Sequence, residues 1–92
     1  MLEFEWDDEK NRLNRAKHGL DFSIAAWVFR DVFAYDIEDR SVDYGEIRRK
    51  VTGFVGDRLV TVIYTERMNR YRIVSARKAS PSERHDYEEN RG

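Results

Sequence analysis

The chain has 92 residues with no cysteine and one proline, and its 17 Lys/Arg nearly balance its 18 Asp/Glu. That length supports one domain, residues 1–92, with a small core, since only about 60% of the surface of so short an unfolded chain is buried on folding. The lack of cysteine excludes a disulfide framework and a thiolate metal site, acidic residues through the first twenty positions exclude a secretion signal, and no stretch is apolar for long enough to span a membrane, so a cytoplasmic protein is expected.

Leu2, Phe4 and Trp6 alternate with Glu3 and Glu5, the period of a short half-buried strand. Asp7 fits the N-cap of a following helix, with Asp8 and Glu9 where the helix dipole favours negative charge. Leu13 and Ala16 give that helix a thin apolar stripe, and Gly19 supplies a left-handed end. Asp21 is the next N-cap. After it Phe22, Ala25, Ala26 and Phe29 recur at helical spacing, widened by Ile24, Trp27 and Val28. This second helix is expected to be the main cover of a sheet, with Trp6 and Trp27 in the core. Residues 33–37 are predicted as a strand and 38–46 as a polar loop, whose neighbourhood of Asp36, Glu38, Asp39 and Asp43 reads as solvated rather than as a cation site.

Residues 47–55, 59–65 and 71–76 are rich in β-branched and aromatic residues and predict three antiparallel strands. Gly56-Asp57 is a two-residue hairpin signal, and Asn69, in Arg67-Met68-Asn69-Arg70, is the natural place for the second reversal. Ser80 and Glu83 form a capping box with Pro81 at the first helical position. The helix that follows, to about residue 90, is nearly all polar and docks through Tyr87. The expected class is α+β: a small antiparallel sheet, a three-stranded meander with short N-terminal and edge strands, covered by two N-terminal helices and followed by a short C-terminal one.

With the hairpins in simple register, one sheet face collects Val51, Gly53, Val55, Val60, Val62, Tyr64, Tyr71 and Ile73, with Arg49 and Arg77 at its rim. The other collects Arg48, Lys50, Arg72 and Lys78 among Thr52, Thr61 and Thr65. Residues 47–80 hold nine Lys/Arg against Asp57 and Glu66, a local charge of +7, which leaves eight against sixteen, or −8, elsewhere. Such a separation suits a polyanionic partner, because the field near a patch matters more than the total charge. Cations interleaved with hydroxyls and rings are what phosphates and unstacked bases require.

NRAKHG at 14–19, GEIRRKVTG at 45–53, VIYTE at 62–66 and YRIVSARKASPSERHDYEEN at 71–90 together resemble the BrnT family of bacterial toxins, in the expected order and over nearly the whole chain. The resemblance implies a compact ribonuclease of the wider RelE-like class, held inactive in a hetero-oligomer by a BrnA-type antitoxin. That antitoxin would carry a ribbon-helix-helix domain and provide the only route to operator DNA. The chain departs from the family at Ser23-Ile24, where a carboxylate often stands.

RNA cleavage by attack of the 2′-hydroxyl on its own phosphate needs a base, an acid and cations for the added charge, with no metal or other cofactor. Lys50, Arg72 and Arg77 are the candidates for phosphate binding and transition-state stabilisation, Arg because its planar fork grips two oxygens. His18 is the candidate for proton transfer, since imidazole changes charge near neutral pH, and its competing role is to meet the last carbonyls of its helix. His85, on a polar helix, reads as solvated. Arg48, Lys78 and Tyr87 are candidates for RNA contact, Tyr87 by stacking unless it serves only to dock its helix. The alternative function is a binding module that receives nucleic acid or an acidic protein on the same face without cutting it. A direct DNA-binding repressor fits less well, because no helix combines a basic face with a helix-turn-helix pattern.

Overall fold

A computed structural model describes residues 3–40 and 45–91. Its elements in chain order are strand β1 (Phe4–Glu5), helix α1 (Asp8–His18), a short helix α2 (Phe22–Ala25) running into a 3₁₀ turn (Ala26–Arg30), strands β2 (Tyr35–Asp39), β3 (Arg48–Val55), β4 (Arg58–Arg67) and β5 (Arg70–Lys78), and helix α3 (Pro81–Arg91). Leu2 and Asp43, named above, lie outside the described residues. No helix among those described is long and apolar enough to cross a membrane.

The five strands form one sheet in the order β1-β5-β4-β3-β2. It is mixed rather than antiparallel: β2, β3, β4 and β5 pair antiparallel, but β1 joins β5 in parallel through Phe4↔Tyr71 and Glu5↔Arg72. A two-residue strand shows its period in the sequence but carries nothing that fixes its direction. Both hairpin turns use left-handed backbone, at Gly56 (φ 63°) in the first, and at Met68 (φ 51°) as well as Asn69 (φ 66°) in the second. Two successive positive φ values are the geometry that matches strand twist in a tight hairpin.

The first face of the sheet is the core. Val51, Val60, Val62, Tyr64, Ile73 and Ala76 pack there against Leu20, Phe22, Ala25 and Val28. At its β1 end Phe4, Phe29, Tyr64 and Tyr71 make tilted and edge-on ring contacts, with centroids 4.7–6.2 Å apart. Gly53 lets the 3₁₀ turn approach, since a Cβ there would stand 3.0 Å from Val28 Cγ2 and 3.2 Å from Asp31 Oδ2. The cover is thus α2 and the 3₁₀ turn rather than one continuous helix. The tighter turn rotates Trp27 outward, leaving it 54% exposed with Arg30 stacked on its ring, which corrects its expected place in the core.

Helix α1 is held differently from its predicted stripe. Leu13 is 53% exposed and Ala16 also faces solvent. The buried residue is Asn14, whose amide donates to the carbonyls of Leu20 (2.9 Å) and Ala76 (2.8 Å) and accepts from the Ala76 amide (3.1 Å). Asn11 accepts from the Phe22 amide one turn earlier. Beyond the short β1, polar side chains thus take the place of a strand at the outer edge of β5.

On the second face α3 covers one half. Tyr87, only 2% exposed, packs with Leu59 and Ala79 against Phe54 and Tyr35, and its hydroxyl donates to Asp31 (2.7 Å). Among the described residues no helix covers the other half, and its composition depends on a bulge. Pairing of β4 with β5 steps from Ile63↔Ser75 to Tyr64↔Ile73, so Val74 is an extra residue on β5. An extra residue exchanges the faces of everything beyond it. Arg77 therefore lies opposite Thr61 on the second face and Lys78 opposite Val60 on the first, the reverse of the arrangement expected from unbroken alternation.

Candidate active site

The open half of the second face is organised by the start of α3. Its capping box is formed: the Glu83 amide donates to Ser80 Oγ (3.1 Å) and the Ser80 amide to Glu83 Oε1 (2.9 Å). Because α3 lies on the sheet, the Glu83 carboxylate points inward at 5% exposure. Thr61 Oγ1 donates to Oε1 (2.9 Å) and is itself 2.8 Å from Thr52 Oγ1. Arg77 forks onto both oxygens, Nη1 to Oε1 at 2.7 Å and Nη2 to Oε2 at 2.9 Å, and Lys50 Nζ reaches Oε2 at 3.2 Å.

Burial, the largest single influence on Glu83, acts to raise its pKa. The Arg77 fork, the Ser80 amide, the Thr61 hydroxyl and Lys50 together outweigh it and hold the carboxyl well below the usual range. The same pair pushes Arg77 up, against its own partial burial. Two cations share one carboxylate, Asp39 lies close enough to act on Arg77 as well, and the side chains of Lys50 (27%) and Arg77 (34%) retain access to solvent.

The remaining cations are paired more than their number in the sequence implies. Arg72 Nη1 donates to Glu5 Oε2 (2.8 Å), Arg70 Nε to Glu3 Oε2 (3.2 Å), Arg48 Nε to Glu46 Oε2 (3.2 Å) and Arg49 Nε to Asp36 Oδ1 (2.8 Å). Asp36 also accepts from the Tyr64 hydroxyl, and Glu38 pairs with Arg40, so these two acids of the 36–43 group are engaged by side chains. Among the described residues six of the nine cations of 47–80 thus meet carboxylates, all from outside that segment, and the patch is weaker than its formal +7.

Of the candidate residues, Lys50 and Arg77 meet on one carboxylate, and Arg72 and Arg48 share their face through its strand registers. Lys78 is exposed on the other side. Tyr87 is buried and hydrogen-bonded, so its ring is not offered to a base. His18 is exposed at the last turn of α1 and has no hydrogen bond or ion pair to Lys50, Arg72 or Arg77 among the described residues. His85 is exposed beside Glu89 (3.7 Å). Glu83 was legible only as a helix cap. The signal for more was Thr61 and Lys50 on the strands that α3 must cover.

A family model described as ribonuclease toxin, BrnT, of type II toxin-antitoxin system matches residues 6–83, a span from Trp6 to Glu83 that includes the whole sheet beyond β1. No curated protein matches the chain.

Proposed function

The chain belongs to the BrnT family of ribonuclease toxins of type II toxin–antitoxin systems, and on that premise we propose that it is a metal-independent endoribonuclease whose centre is the Lys50–Arg77 pair. The observation that carries this is the convergence of both cations on the buried Glu83 carboxylate, beside an open sheet face. In the proposed reaction the 2′-oxygen attacks the adjacent phosphorus and the P–O5′ bond breaks, giving a 2′,3′-cyclic phosphate and a 5′-hydroxyl. The 2′-proton goes to a base, and the leaving oxygen receives one from an acid. Lys50 and Arg77 stabilise the negative charge gathered on the phosphoryl oxygens, Arg72 and Arg48 bind flanking phosphates, and Lys78 guides the strand from the rim. His18 is assigned proton transfer as the histidine of the NRAKHG element, four residues past the Asn14 that grips Ala76. Tyr87 serves the fold.

We further assign a RelE-like fold, supported by the N-terminal helical cover, the meander β3-β4-β5 and the C-terminal helix. The antitoxin is proposed to be of BrnA type, with a ribbon-helix-helix domain that alone contacts operator DNA. It inhibits by covering the open face, so RNA and antitoxin compete, and a ternary complex that still cuts RNA would refute this. The central test is cleavage of RNA in excess EDTA by the chain freed of its partner. Wild type should cut, Lys50→Ala and Arg77→Ala should lose on the order of 10²-fold or more in turnover, and His18→Ala should lose cleavage with binding retained. Activity that EDTA abolishes overturns metal independence. Undiminished cleavage in both cation variants overturns the site, and binding without cleavage in the wild type favours the binding module.

A further inference from the structure

Among the described residues Glu83 is the buried carboxylate, and the cleavage scheme gives it no part. A helix cap does not require what surrounds it. A capping box asks its glutamate for one acceptor, to the N-cap amide, whereas Glu83 also takes Arg77, Lys50 and Thr61. A phosphate that pulled both cations away would leave a buried anion with no opposite charge, held only by the Thr61 hydroxyl and the Ser80 amide on Oε1, which is strongly unfavourable. The cations therefore keep this contact while they act.

The donors left over point the same way. Arg77 spends its Nη1 hydrogens on Glu83 Oε1 and the Lys78 carbonyl (3.3 Å), and one Nη2 hydrogen on Oε2. What remains is the Nε–H and the outer Nη2–H, the side-on fork that matches two phosphate oxygens. Lys50 uses one of its three N–H groups on Oε2, the oxygen that also holds Nη2. Sharing that oxygen keeps Nζ and Nη2 within about 6 Å of each other, a span one phosphate can bridge.

We propose that Glu83 is the positioning residue of the site, fixing Arg77 and Lys50 so that the side-on fork and the ammonium converge on a single phosphate. This deepens the ribonuclease reading and rests on it for the identity of the phosphate, but the geometry has its own readout. Nitrogen-labelled wild type should show resolved Arg77 Nη signals, since the fork hinders guanidinium rotation. On titration with inorganic phosphate the Arg77 Nε–H signal should shift while the Nη signals stay resolved. Collapse of the Nη signals with phosphate would mean that the anion displaces Glu83, and no response at Nε–H would mean that the fork is not presented; either overturns the proposal, whether or not the chain cuts RNA. In Glu83→Gln, which keeps the cap acceptor, the Nη signals should merge and kcat on a short single-stranded RNA should fall on the order of 10²-fold with KM unchanged or lower. Glu83→Asp, which keeps the charge, should recover part of the loss. A Gln variant with wild-type kcat overturns the proposal, whereas a wild type with the NMR behaviour but no cleavage refutes only the ribonuclease reading.

Discussion

The attachment of α1 by Asn14 can be tested against the apolar stripe that its sequence shows. In Asn14→Ala the Ala76 amide, the Ala76 carbonyl and the Leu20 carbonyl lose their partner at once. Ala76 is fully buried and Leu20 nearly so, so water reaches these groups only if the edge of β5 opens. An unmet buried backbone group costs roughly 1–3 kcal/mol. With partial hydration of the space left by the amide, the sum comes to about 3 kcal/mol, a large share of the roughly 5–15 kcal/mol that holds such a domain together. For a chain of this size that corresponds to a fall in Tm of roughly 12–20 °C. Leu13→Ala removes a half-exposed side chain and should stay within about 0.5 kcal/mol of wild type. Thermal unfolding followed by circular dichroism, with urea midpoints as a second measure, decides between them. A loss below about 1 kcal/mol in Asn14→Ala, or a larger loss in Leu13→Ala than in Asn14→Ala, would refute the reasoning.

Glu83 ionises more readily in the folded chain than at its free value of 4.5, so its contribution to stability is complete above the unfolded pKa and is lost as pH falls through the lower folded one. The stability gap between wild type and Glu83→Gln should therefore hold from pH 7 to about pH 5 and shrink below that; urea unfolding at stepped pH checks it, and a gap that widens in acid would contradict the sign. Tyr87→Phe forfeits one bond to Asp31 and should cost about 1 kcal/mol with cleavage unchanged, while Tyr87→Ala should cost about 3–5 kcal/mol; impaired RNA cleavage by a stably folded Tyr87→Phe would return the hydroxyl to the site. Gly53→Ala sets a methyl 3.0 Å from Val28 Cγ2 and should destabilise by about 1–3 kcal/mol through overpacking, measured by the same melts.

What the sequence shows of this fold follows from how local each signal is. The N-caps at Asp7 and Asp21, the left-handed end at Gly19, both hairpins and the capping box are written in residues a few positions apart, and each is formed. The 3₁₀ turn is a subtler case, because Phe22, Ala25, Val28 and Phe29 satisfy the helical period in either geometry, and the close approach of Val28 to Gly53 is a contact that no local pattern shows. The parallel pairing of β1 and the bond from Asn14 to Ala76 join residues 62 or more positions apart. Nothing near Phe4 or Asn14 announces a partner at that distance.

The bulge at Val74 is where this limit reaches the chemistry. Between the turn at Asn69 and the end of β5 the alternation breaks only at the adjacent apolar pair Ile73-Val74, which unbroken pairing also accommodates with Val74 on the second face, and neither Gly nor Pro marks an irregularity. Unbroken pairing would put Arg77 on the core side and Lys78 on the face of Lys50, opposite Leu59. One unpaired residue reverses them and sets an arginine, with its fork, against Glu83, where a lysine would have offered a single point of contact. The exchange also puts Lys78 on the first face at the end of β5, where it is exposed and its charge needs no buried partner. A buried carboxylate at the start of α3 and a bulge six residues before its capping box are thus one device: the bulge delivers the cation that makes burial of Glu83 tolerable, and Glu83 holds that cation beside Lys50.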